Sequence, residues 1–99
     1  MLDKLRSTDF QPLCTQEFQV RLDGVEPIAL ELVSVADLGA ARQAGMRRPF
    51  SLLFLGPVSN QYLPQGTYRL QHDQMGALDI FIVPLGPQEG RMRYEAIFT

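Results

Sequence analysis

From Glu17 the chain reads EFQVRLDG, in which Phe18, Val20 and Leu22 alternate with Gln19, Arg21 and Asp23. A period of two sends one set to a buried face and the other to water. The run therefore predicts a half-buried β-strand, and Asp23-Gly24 supplies a tight hairpin turn. The return run, PIALELVSV, places Ile28, Leu30 and Leu32 on one face and then changes phase to Val33 and Val35, which predicts a bulge near Leu32. PFSLLFLGP alternates Phe50, Leu52 and Phe54 against Ser51, Leu53 and Leu55, so both of its faces are largely apolar. QGTYRLQHD alternates Tyr68, Leu70 and His72 against Thr67, Arg69 and Gln71 and ends in the turn-like HDQMG. GALDIFIVPLGP continues as a mostly apolar strand, and RMRYEAIFT alternates Met92, Tyr94, Ala96 and Phe98 against Arg91, Arg93, Glu95 and Ile97.

About six strands result, and short turns between most of them predict antiparallel pairing. A small chain removes its exposed strand edges best by curling the sheet upon itself. The expected fold is thus all-β, a small barrel or strongly curled sheet, forming a single domain over residues 1–99 with its strands in 17–98. Residues 1–14 are expected to form a short helical or turn segment, with Leu2, Leu5, Phe10 and Leu13 apolar, Ser7 or Thr8 as N-cap and Pro12 limiting its length. Residues 36–48, Ala-rich with two glycines, read as a loop.

Length and charge narrow the function classes. A chain of 99 residues with 45% hydrophobic positions can bury about two-thirds of its unfolded surface, enough for one core without disulfides or a structural metal. A formal charge of -2 argues against a nucleic-acid binder, which gains affinity by neutralising phosphates with clustered Lys and Arg. The start, MLDKLRSTDF, lacks the apolar core of a signal peptide, and the uncharged stretch from Pro49 to Tyr68 is broken by Gly56, Pro57, Asn60 and Pro64, so no membrane span is expected. The lone Cys14 fits a reducing compartment, and the cytoplasm is the expected location.

Candidate chemistry is sparse. His72 is the one imidazole, so any neutral-pH acid-base chemistry converges on it, whether through a Cys14-His72 dyad or a triad with Ser51 or Ser59. The competing reading makes His72 a hydrogen-bonded residue at a barrel end. One His and one Cys fall short of a zinc ligand set, and no glycine run forms a phosphate-binding loop, so neither a metal nor a cofactor is expected. Arg42, Arg47 and Arg48 form the densest basic spot, while Arg91 and Arg93 read as outward residues of the last strand.

The more informative feature is a set of apolar residues at outward positions: Leu53, Leu55, Phe81, Val83 and Ile97. If Phe50, Leu52, Phe54, Leu78, Ile80 and Ile82 fill the inside, this second set needs a cover. Either the N-terminal segment packs over it or another chain does.

PFSLLFLGP (49–57), LPQGTYRLQH (63–72), GALDIFIVPLGP (76–87) and YEAIF (94–98), together with EFQV and LELVSV, resemble a family of small bacterial domains of unknown function. The likeness includes Gln65, Gly66, Tyr68, His72, Gly76, Phe81 and Pro84, whereas Ala36–Arg48 departs from the pattern. It gives none of these residues a catalytic role. It implies a structural or assembly role associated with phage-tail-like genes.

The leading expectation is a non-enzymatic protein-interaction or assembly module that docks a protein partner or another copy through Leu53, Leu55, Phe81, Val83 and Ile97 with Arg47 and Arg48. The alternative is a small-ligand barrel with Tyr68, His72 and Tyr94 near its mouth. An enzyme using His72 ranks third.

Overall fold

A computed structural model describes residues 5–24, 26–40, 47–59 and 61–99. A short helix α1 (Ser7–Phe10) runs into a 3-10 turn (Gln11–Leu13), and six strands come after it. They are β1 (Glu17–Arg21), β2 (Ile28–Asp37), β3 (Phe50–Val58), β4 (Gly66–His72), β5 (Gly76–Gln88) and β6 (Arg91–Phe98). All pairings are antiparallel, and the strands close into a barrel in the order β1-β2-β3-β6-β5-β4.

Alternation decides what fills it. Phe18 and Val20, Leu30 and Leu32, Phe50, Leu52 and Phe54, Leu70, Leu78, Ile80 and Ile82, and Tyr94, Ala96 and Phe98 all turn inward and are buried. Side chains therefore occupy the barrel interior, as expected where only six strands close. The phase change in β2 is a bulge: Leu32 pairs with Phe54 but Ser34 pairs with Leu53, and Val33 is left exposed between them. The β5–β6 hairpin turns through Glu89 and Gly90 at φ 51° and 80°, the pair of left-handed residues a type I′ turn demands.

Each end of the barrel has its own closure. At one end the N-terminal segment folds over the opening, so that Phe10 is fully buried against Phe18, Phe50 and Phe98 with ring centroids 5.7–6.4 Å away. Phe50 and Phe98, directly opposite in register, stack at 4.7 Å with an interplanar angle of 4°. The helix begins one residue earlier than expected. Arg6 is its N-cap, because the Asp9 carboxylate reaches back to accept the Arg6 N–H at 2.8 Å, and Ser7 and Thr8 lie inside the turn. Pro12 confines Gln11–Leu13 to a single 3-10 turn. Thr15 then adopts φ 74°, rare for a β-branched residue, and its N–H donates to the Leu32 carbonyl at 2.7 Å as the chain enters β1.

At the other end, where the chain passes from β3 to β4, the Ser59 N–H donates to the Gly90 carbonyl of the β5–β6 hairpin, and residues 61–65 lead into β4. Leu63 in this segment is buried. The expected loop at 36–48 is shorter on its first side, since β2 runs through Asp37 and the Leu38 N–H still bonds the Pro49 carbonyl at 2.9 Å. The remainder of that expectation, with Arg42, falls at 41–46, outside the described residues.

Candidate functional site

The five outward apolar residues come together on one face of the barrel, across β3, β6 and β5. Register places Leu53 opposite Glu95 and Glu95 opposite Val83, with Ser51 opposite Ile97 in the next row. Leu53, Leu55 and Val83 are half-buried by their neighbours, whereas Phe81 and Ile97 are 52% and 58% exposed. β5 pairs with β6 only from Val83 onward, and before that point it pairs with β4. Where the two strands part, a shallow groove of about 220 Å³ opens, lined by Arg47, Ile80, Phe81, Ile97, Phe98 and Thr99.

Of the two covers expected for this face, the described part of the N-terminal segment, from Leu5 onward, packs elsewhere. Phe10 and Leu13 are buried in the barrel end, and Leu5 packs against the same core; Leu2 lies outside the described residues. The physical reason is aromatic: Phe50 and Phe98 project inward at the mouth and leave an opening that Phe10 fills.

The two arginines assigned to docking separate. Arg47 serves the barrel end itself, donating from Nε to the Thr99 carbonyl at 3.1 Å and from Nη1 to the Leu5 carbonyl at 2.8 Å. Its guanidinium also lies 5.8 and 5.5 Å from the Phe50 and Phe98 ring centroids. Arg48 is exposed.

Arg91 and Arg93, expected to be plain outward residues, are half-buried and bonded to backbone. The β3–β6 register slips between Leu55 and Val58, and Arg91 Nε donates to the Gly56 carbonyl in that slip at 2.6 Å while Nη2 reaches Glu31 at 3.1 Å. The β5–β6 register slips between Pro84 and Gly86, and Arg93 Nε donates to the Gly86 carbonyl at 3.4 Å. A bulge leaves a carbonyl without its ladder partner, and a guanidinium supplies donors in its place. Neighbouring signals were present in Gly56-Pro57 and Pro84-Leu85-Gly86-Pro87, where proline breaks a ladder.

The three residues of the ligand-barrel alternative do not meet. His72 sits at the Phe10 end, buried beside Phe18 at 4.7 Å. Its Nδ1 accepts the Gln74 N–H at 3.0 Å, which leaves the ring proton on Nε2, 2.7 Å from Gln16 Oε1. Both nitrogens are thereby engaged by groups other than Cys14, Ser51 or Ser59. His72 also borders a polar cleft of about 380 Å³ with Gln16, Glu17, Gln19, Gln71 and Asp73.

Tyr68 and Tyr94 hold the segment before β4 at the opposite end. Tyr68 donates to the Pro64 carbonyl at 2.7 Å, and the Tyr94 oxygen accepts the Leu63 N–H at 2.9 Å. Burial pushes the Tyr94 phenol above its ordinary value of 10.0; the Leu63 bond opposes that shift, and the nearby Tyr68 and Tyr62 add to it.

Among the described residues no group of three His, Cys, Asp or Glu side chains is arranged to hold a metal ion, and no helix is long and apolar enough to cross a membrane. The family model for the Domain of unknown function (DUF6916) matches residues 5–98, from the helix through the last strand, and the chain belongs to that family. No curated protein and no solved structure matches it.

Proposed function

For a member of a family that carries no assigned activity, we propose a non-enzymatic protein-interaction or assembly module that docks through the outer face of β3, β6 and β5. One observation carries this reading. A chain that buries Phe10 and Leu13 in its own barrel end leaves Phe81 and Ile97 more than half exposed beside Leu53, Leu55 and Val83. Apolar side chains gathered on one face mark a contact surface, because each retains transfer free energy of about 25 cal/mol per Å² for a partner to realise. A stable contact takes about 800 Å² from each side, roughly an eighth of the 6435 Å² here. The setting we propose is the cytoplasm, which the lone Cys14 fits, and a phage-tail-like assembly, which the resemblance to bacterial domains implies.

Leu53→Asp tests this. The side chain is half-buried on the outside of a barrel whose core it does not enter, so the variant is expected to melt cooperatively near the wild type while losing partner retention from a native-host lysate. A variant that unfolds would place Leu53 in the core's service. A folded wild type that retains no partner and does not self-associate would sink the docking reading.

A further inference from the structure

On the proposed docking face, charges interrupt the apolar rows in a particular order. Glu95 lies between Leu53 and Val83 in one row, and Arg93 lies opposite Leu55 in the next. Both charged residues are half-buried. Glu95 accepts no hydrogen bond and joins no ion pair among the described residues, so a carboxylate flanked by two apolar side chains lacks a cation. Arg93 engages Gly86 through Nε alone, and its two terminal nitrogens bond nothing among the described residues.

We infer that a second copy of this chain occupies the face, with Glu95 of each copy paired to Arg93 of the other. The inference rests on the docking reading and names its partner. Phe54, Tyr94 and Pro84 form the row midway between the two charged rows. A two-fold axis at that level, lying in the contact plane and crossing the strands, reverses strand direction and exchanges the row above with the row below. Glu95 then faces Arg93 twice, and Leu53 faces Leu55 twice. This is the self-complementarity an isologous contact requires. An axis running along β6 itself would set Glu95 against Glu95, which like-charge repulsion disfavours. A foreign partner must present an acid and a base at the same two-residue spacing between leucines; this chain already does.

The test is charge reversal read by sedimentation velocity on the full chain, with folding checked by melting. At about 100 µM the wild type is expected to be dimeric, and Glu95→Arg or Arg93→Glu alone should weaken the dimer about a hundredfold. Mixing the two single variants should restore a heterodimer, because one copy then carries two bases and the other two acids. The double variant should restore the homodimer.

A monomeric wild type, single variants that dimerise as tightly as the wild type, or a mixture that restores nothing would each overturn the inference. If Arg93→Glu loses its cooperative melt, Glu95→Arg decides alone: a dimer as tight as the wild type overturns it, and one about a hundredfold weaker supports it. A monomer that still retains a host protein, lost in Leu53→Asp, sinks the homodimer and leaves the docking reading. A monomer that retains nothing sinks both.

Discussion

The two ends of this barrel are closed by different physics. At the Phe10 end the closure is apolar: a fully buried ring rests on Phe18, Phe50 and Phe98, and Arg47 lies over the stacked pair while binding both the Leu5 and Thr99 carbonyls. At the hairpin end the closure is polar. Tyr68 and Tyr94 hold the segment before β4 by its backbone at Pro64 and Leu63, and Arg91 and Arg93 satisfy carbonyls at two register slips. An apolar plug is non-directional and tolerates small shifts, whereas the polar closure depends on particular atoms lying within hydrogen-bond reach. That contrast predicts how each end fails.

The largest effect is expected at the apolar end. Phe10→Ala removes a ring from contact with three others and leaves a void the barrel cannot collapse into, so it should cost about 3–5 kcal/mol in chemical denaturation. A cost below about 1 kcal/mol would show that the N-terminal segment lies loosely on the barrel rather than plugging it.

Arg91→Ala comes next, at about 1.5–3 kcal/mol, since it strips the donor from the Gly56 carbonyl and breaks a half-exposed pair with Glu31 that by itself contributes little. Arg91→Lys should recover little of the loss, because one ammonium does not reproduce a fork that reaches Gly56, Leu55 and Glu31 together. Full recovery with Lys would show that charge, not donor geometry, closes the slip.

The smallest effect sharpens the same end. Tyr94→Phe leaves the buried Leu63 N–H without its acceptor and should cost about 1–2 kcal/mol at neutral pH. It should also change the alkaline limb of the stability profile. Because the folded phenol holds its proton above the ordinary 10.0, its contribution is fully present below that value. It is lost as pH rises through the folded value, since the unfolded chain ionises first. Stability measured from pH 9 upward should therefore fall more steeply in the wild type than in Tyr94→Phe. Parallel profiles would mean that Tyr94 is not the group responsible.

The candidate face was legible in part. Leu53, Leu55, Phe81, Val83 and Ile97 share it because alternation assigns each to the outside, and strand pairing then carries them to neighbouring positions. Glu95 and Arg93 are visible in the sequence only as outward members of the last strand. What sets Glu95 between Leu53 and Val83 is the register of three strands, and register depends on where the bulges fall. The contacts Arg47 makes at the barrel end were hidden for a related reason: a basic residue before a strand looks solvated until the fold brings the Leu5 and Thr99 backbone and two phenylalanines beneath it.

By itself the sequence determined the number of strands, their antiparallel pairing, the inward set and the bulge after Leu32, because each arises from a period of two and from turn residues acting over a few positions. Tertiary structure alone decided that the sheet closes as β1-β2-β3-β6-β5-β4, that Phe10 plugs one end, and that His72 and the two tyrosines stand at opposite ends. Those outcomes join residues far apart in the chain, such as Leu63 with Tyr94 and Gln16 with His72. No local period encodes such contacts. They depend on which edges and which mouths remain open once every strand has found its neighbour.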